Sequence, residues 1–140
     1  GVLALLLHYE IATAGRSAAI IGRGMLVGRP LSMLLSLKGV DATVTLLHTR
    51  SPDLAETLRR ADIVVSAAGV AGLVDKTMVK PGAAVIGVGI SADADGQTVS
   101  DIDDAVADVA GFVTSRHGSV GALTRAMLLK NLVKIAARAA

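Results

Sequence analysis

The sequence contains no cysteine, and its only aromatic residues are Tyr9 and Phe112. Without cysteine there are no disulfides and no thiol chemistry. Without aromatics, a single-stranded nucleic acid finds no stacking platform. An excess of one charge sign is also missing. The formal net charge is +2 and no polybasic run occurs, so neither nucleic acid nor a membrane surface is an expected partner. Apolar stretches are broken well short of the ~20 residues that a bilayer span requires. The apolar opening, VLALLL, is too short for a signal peptide and lacks its basic flank. A cytoplasmic setting is the expectation. The first residue is Gly1 rather than Met, which reads as a fragment, a processed product or a designed chain.

What is present is aliphatic. Hydrophobic residues make up 52% and charged residues 19% of 140 positions, which places the chain among globular domains and predicts one domain over 1–140. With so few aromatics the core must be built from Ala, Val, Ile and Leu, a composition that suits a buried parallel sheet. The four methionines, Met25, Met33, Met78 and Met127, are expected to fill core gaps.

The stretch from Ala18 to Pro30, AAIIGRGMLVGRP, organises the rest. A short apolar run ends in Gly22. A loop with Gly24 and Gly28 follows, and then Leu31, Leu34 and Leu35 recur at helical spacing. A strand, a glycine turn and a helix in that order present backbone N–H groups to a pyrophosphate. The pattern G-x-G-x-x-x-G is one residue longer than the usual fingerprint and, alone, is weak evidence. Gly22 allows the sharp turn, Gly24 the approach of a cofactor, and Gly28 close packing of the helix start.

The remaining elements follow in order. A lead-in helix is expected over Val2–Glu10. Strands are expected at Ala18–Ile21, Ala42–Leu47, Ala61–Gly69, Ala83–Ile90 and Gly111–Thr114. Helices are expected at Pro30–Leu37, closed by Gly39, at Leu54–Arg60, capped by Asp53 or Ser51, at Asp75–Val79, at Asp101–Val109, and at Ala122–Ala139. Asp95-Gly96 reads as a hairpin turn. Strands alternate with helices every ~20 residues, which predicts a doubly wound α/β sheet of about five or six mostly parallel strands flanked by helices. Right-handed crossovers put the strand C-terminal ends on one edge, where the ligand crevice forms.

The exit of the second strand carries the cofactor choice. NAD-binding units place an acid there; this chain has Leu47-His48-Thr49-Arg50-Ser51. Arg50 and Ser51 suit a 2′-phosphate, and Arg23 and Arg29 in the glycine loop add to such a clamp, so NADP is favoured over NAD. Each arginine taken singly is equally a solvated loop residue. His48 reads as a loop or cofactor contact rather than a base, and His8 and His117 as boundary or surface residues. No histidine pair has metal-ligand spacing, so no metal is expected. Asp101 and Asp103 read as the start of a helix, where carboxylates favour the dipole. Ser66 and Ser119 have no histidine–acid set around them.

With these motifs placed, the chain resembles the C-terminal, nucleotide-binding domain of bifunctional methylenetetrahydrofolate dehydrogenase/methenyltetrahydrofolate cyclohydrolases. The resemblance rests on GRGMLVGRPLSMLL, ATVTLLHTRSPDL, ADIVVSAAG, VKPGAAVIGVGI and SVGALTRAMLLKN, and it covers essentially the whole chain. It implies a Rossmann-type domain with a linking helix over 1–10 and a closing helix over 120–140. It implies cofactor contacts at Gly22, Arg23, Gly24, Val27, Gly28, Arg29 and Pro30, at His48, Thr49, Arg50 and Ser51, at Ala68, Gly69 and Val70, at Gly89 and Ile90, and at Gly121 and Thr124. Such enzymes oxidise 5,10-methylenetetrahydrofolate by hydride transfer, usually with NADP, and then hydrolyse the methenyl product.

The departures, apart from one in the glycine loop, lie toward the folate. The resemblance implies that the family's catalytic lysine and tyrosine belong to an N-terminal domain outside these 140 residues. The family's P-V-P-G-G-V-G-P loop is Ser115 to Ala122 here, a family aspartate is Gly87, and a common serine of the glycine loop is Gly24. Dinucleotide is therefore the expected partner, with folate only where a catalytic domain is supplied. Little or no turnover is expected of the chain alone, and apolar surface makes a homodimer plausible. Two other readings stay open: a non-enzymatic Rossmann scaffold, and a fragment of a small oxidoreductase similar to shikimate dehydrogenases.

Overall fold

A computed structural model describes residues 1–92, 95–114 and 119–139. Five strands form one parallel sheet in the order β2-β1-β3-β4-β7. They are β1 (Ser17–Ile21), β2 (Thr43–Leu47), β3 (Ile63–Ser66), β4 (Ala84–Gly87) and β7 (Phe112–Val113). A separate antiparallel pair, β5 (Ile90–Ala92) and β6 (Thr98–Ser100), projects beyond β4. The helices are α1 (Val2–His8), α2 (Gly28–Leu35), α3 (Leu54–Arg60) and α4 (Ser119–Ala139), with 3-10 turns at Lys76–Met78 and Asp104–Asp108.

The sheet separates two cores because side chains alternate along each strand. From β1, Ala18 and Ile20 face α1, α2 and the start of α4, packing with Leu6, Leu35, Val65, Ile86 and Val120. Ala19 and Ile21 face α3 and the 3-10 turns, packing with Leu58, Val64, Val74, Val85 and Val106. Both faces of the inner strands are covered, which is why their sequences read as continuous apolar runs. Tyr9 and Phe112 lie against each other, ring centroids 4.8 Å apart.

Several expected boundaries move. The run expected as one strand over Ala83–Ile90 divides, since β4 stops at Gly87 and the chain restarts as β5 of the hairpin. Gly96, at φ +75°, supplies its turn. α2 begins at Gly28 and ends at Leu35, so Gly39 (φ +92°) shapes the turn beyond it rather than closing it. Asp53 occupies the N-cap position of α3 but makes no side-chain capping bond, because its backbone is left-handed at φ 53°. Met25 and Met33 stand exposed, not in the core, because they follow the outer side of the glycine turn and of α2. The helix expected at Asp101 starts at Asp104, for a reason given below.

At the sheet edge opposite the crevice, one carboxylate ties three strand entrances. Asp62 Oδ2 accepts from the Ser17 N–H (3.0 Å) and hydroxyl (2.9 Å), and Oδ1 accepts from Lys80 Nζ (2.6 Å). The Lys80 hydrogen bond and then the two Ser17 bonds hold the Asp62 carboxyl well below the usual carboxylate range. A carboxylate depressed on folding adds stability above its unfolded pKa of about 3.9 and loses it as pH falls below that value. Asp62→Asn is therefore expected to lower stability at pH 7 and to flatten its decline between about pH 4 and pH 2. Urea unfolding across that range checks this; an unchanged acid limb would remove Asp62 from the account.

Candidate functional site

The strand order 2-1-3-4 followed by the last strand reverses direction between β1 and β3, and that switch point is where an open α/β sheet binds its ligand. Backbone hydrogen bonds stitch the four neighbouring strand exits together. Gly22 N donates to Leu47 O (2.9 Å), Ala67 N to Ile21 O (2.7 Å), and Val88 N and Gly89 N to Ser66 O (2.8 and 3.0 Å). The exits of β2, β1, β3 and β4 thus form one continuous rim.

Gly22 turns the chain out of β1 at φ +115°, and a Cβ there would collide with the Ala67 carbonyl. Gly28, the first residue of α2, lies so close under Gly22 that a Cβ would fall on the Gly22 carbonyl oxygen. Gly24 differs: among the described residues nothing lies within 4 Å of the Cβ it lacks, so this face of the turn is open to them. Among the described residues, no hydrogen bond engages the N–H groups of Arg23 to Val27. Arg29 N closes the turn on Gly24 O (3.1 Å), while its guanidinium reaches Met25 Sδ (3.3 Å). Pro30 sits in the first turn of α2, where its missing N–H leaves no bond unmade.

Beyond β2, the segment His48–Ser51 is folded on itself. Ser51 N donates to His48 O (2.8 Å), His48 N to Ser51 Oγ (3.0 Å), and Arg50 N to His48 Nδ1 (3.2 Å). Ser51 therefore holds this turn rather than capping α3. His48 Nδ1 accepts the Arg50 N–H and so helps to shape the turn. Thr49 and Arg50 project from it into solvent.

Ala68, Gly69 (φ +66°) and Val70 follow β3, and Gly89 and Ile90 follow β4. Val27, Pro30 and Thr124 meet elsewhere, around a hollow of about 170 Å³ lined also by Val2, Leu26, Val88 and Val120. Gly121 is exposed on the first turn of α4, and no described contact ties it to the rim. His117 lies outside the described residues. Larger hollows of about 380, 390 and 280 Å³ lie beside β1 and α3, at the strand entrances, and between β6 and β7; among the described residues none of their lining belongs to the glycine turn.

Two residues at the centre of the rim escape a reading of the sequence. Asp101 is fully buried, and Oδ2 accepts from Ser66 Oγ (2.8 Å), Ala68 N (2.9 Å) and Gly69 N (3.1 Å), while Oδ1 accepts from Val70 N (3.0 Å). These bonds hold Asp101 out of the following 3-10 turn, whose cap is Asp103, accepting from Ala105 N (2.8 Å). Asp101, Asp103 and Asp104 look alike in the sequence; only the approach of β6 to the β3 exit distinguishes the first. Ser66 ends an otherwise apolar strand, and that lone hydroxyl was the one available signal.

A parallel sheet with an open glycine turn at its switch point and cationic side chains beside it is the architecture of a dinucleotide-binding domain. Comparison with known proteins makes the class specific. The chain belongs to the tetrahydrofolate dehydrogenase/cyclohydrolase family, whose NAD(P)-binding domain model matches residues 1–140. It is similar to the bifunctional FolD methylenetetrahydrofolate dehydrogenase/cyclohydrolase of Campylobacter jejuni, at 39% identity and TM-score 0.94 over 99% of this chain and 49% of that one. It is also similar to the Trypanosoma brucei dehydrogenase-cyclohydrolase, solved with NADP cofactor and inhibitor, at 40% identity and TM-score 0.90 over 99% and 49%. A silkworm 5,10-methylenetetrahydrofolate dehydrogenase matches at 39% identity and TM-score 0.89 over 95% and 48%. The chain spans about half the length of these solved structures. The shikimate-type reading gives way to this family. Among the described residues no helix is long and apolar enough to cross a membrane.

Proposed function

We propose that the chain binds NADP across the β1–β3 switch point and supplies the cofactor half of a methylenetetrahydrofolate dehydrogenase/cyclohydrolase. The observation that carries the cofactor choice is the β2 exit. It offers no carboxylate to a ribose 2′-hydroxyl, and its turn is folded so that Arg50 projects from it. The open face at Gly24 and the unengaged N–H groups of Arg23 to Val27 fit a pyrophosphate. Arg23 and Arg29 lie in the same segment and add positive charge. Arg50, Thr49 and Ser51 would hold the 2′-phosphate, and the Ala68–Val70 and Gly89–Ile90 segments would border the nicotinamide half. When bound, NADP supplies the hydride acceptor, and this chain's residues position it.

Residues 1–140 act in this reading as one nucleotide-binding unit, with the linking helix inside 1–10 and the closing helix inside 120–140. Folate, and the groups that activate water for hydrolysis, would come from a further domain, so the chain alone holds cofactor without completing the reaction. A cytoplasmic setting and a homodimer belong to the same proposal. Exposed Leu128, Leu129, Leu132, Val133 and Ile135 on α4 give self-association an apolar surface.

Calorimetric titration with NADP and NAD at matched salt tests the reading. NADP is expected to bind at least about tenfold more tightly than NAD. Arg50→Ala is expected to weaken NADP about tenfold, the loss of one charge-assisted hydrogen bond, and NAD by less than about twofold. Equal weakening of both would end the 2′-phosphate role of Arg50. Binding of neither cofactor would leave a scaffold.

A further inference from the structure

At the exit of β3 four successive backbone N–H groups are all engaged inside the chain. Ala67 N donates to Ile21 O (2.7 Å), and Ala68, Gly69 and Val70 N donate to the Asp101 carboxylate at 2.9–3.1 Å. Three consecutive N–H groups converging on one point form a nest, the backbone device that elsewhere in proteins takes a phosphate or other anion. Here the chain's own carboxylate fills it. The same carboxylate lies against Gly89, where a Cβ would collide with it, and accepts the Ser66 hydroxyl from the end of β3. One buried side chain therefore sets the β3 exit against the β4 exit.

We propose that Asp101 is the positioning residue for the nicotinamide side of the crevice, and that by filling the nest after β3 it denies that loop any role in phosphate recognition. Phosphates are then held only on the β1 turn and the β2 exit, whereas the Ala68–Val70 loop is a shaped wall with no N–H to offer. This deepens the proposed NADP site and rests on that reading. It divides the crevice in two. Asp101 supports the half that borders β3 and β4, and among the described residues its carboxylate makes no hydrogen bond to the β1 turn or the β2 exit that take the 2′-phosphoadenosine half.

The test compares NADP with adenosine 2′,5′-bisphosphate, which carries the adenosine and 2′-phosphate but no nicotinamide. Both are titrated into the 140-residue chain, its Asp101→Asn variant and its Ser66→Ala variant, with hydrogen exchange of amides 68–70 recorded for each. Asp101→Asn places an amide among hydrogen-bond donors. It is expected to weaken NADP about tenfold or more while adenosine 2′,5′-bisphosphate changes less than about twofold. Ser66→Ala removes one of four partners and keeps the carboxylate, so its NADP loss is expected to be smaller and equally confined. It carries the test if Asp101→Asn does not fold. Amides 68–70 are expected to lose protection in Asp101→Asn ahead of the sheet amides. Equal weakening of both ligands would reduce Asp101 to a general fold contact and overturn the proposal. Unchanged NADP binding with exposed amides would overturn it too. If the unaltered chain bound neither ligand, the NADP reading itself would fall. If it bound the bisphosphate as tightly as NADP, that reading would stand and this inference would fall.

Discussion

Gly28→Ala is expected to destabilise the chain by about 3 kcal/mol or more, lowering Tm by about 10 °C, and to remove dinucleotide binding. The added Cβ would fall on the Gly22 carbonyl oxygen, 2.7 Å from its carbon and 3.3 Å from Arg23 Cα. All three neighbours are backbone, so no side chain can rotate away. Either α2 must move off the sheet or the turn after β1 must reopen. The second route disturbs Gly22 N, which is bonded to Leu47 O at the β2 exit, and so reaches the segment that carries Arg50. Gly24→Ser is the control. With nothing within 4 Å of its missing Cβ and no positive φ, it is expected to change stability by less than about 0.5 kcal/mol. Thermal unfolding and calorimetry of the two variants check this. Equal stability of both would mean that α2 does not pack on the turn as described.

The contrast between the two glycines shows how much of the site was legible. The spacing of Gly22, Gly24 and Gly28 located the turn, and the missing acid after β2 pointed to the cofactor, because both depend on residues adjacent in sequence. Strand positions were legible for the same reason: buried parallel strands are short, continuous apolar runs. What was not legible depends on tertiary approach. The division of Ala83–Ile90 follows from the pairing of β5 with β6 across a hairpin. The role of Asp101 follows from the return of β6 beneath the β3 exit, 31 to 35 residues away in sequence from its partners. Ser51 has capping chemistry, yet in the fold it closes the His48 turn instead. A polar side chain near several donors bonds with the ones that the fold brings closest, and sequence spacing ranks only the local ones.

Leu6→Ala is expected to cost about 2–5 kcal/mol, a large share of the roughly 5–15 kcal/mol that holds a domain folded. As a sequence, α1 is only a lead-in helix with an incomplete apolar stripe. Its seven residues are too few to be stable in isolation, and no side chain caps its start. Its stability must therefore come from packing. Leu6 has no exposed surface and joins Val2 and Leu5 in the core shared with β1, α2 and the start of α4. Ile11 N returns to Leu6 O (2.9 Å), and Tyr9 reaches Phe112 on β7. The element that would link this domain to a neighbour is thus part of the nucleotide-binding core itself. Leu7, 69% exposed on the next position, supplies the comparison. Leu7→Ala is expected to change stability by less than about 0.5 kcal/mol. Urea unfolding of the pair separates the two cases. A Leu6→Ala cost below about 1 kcal/mol would show that α1 is undocked in solution, and the hollow between α1, α2 and α4 that gathers Val27, Pro30 and Thr124 would lose its wall.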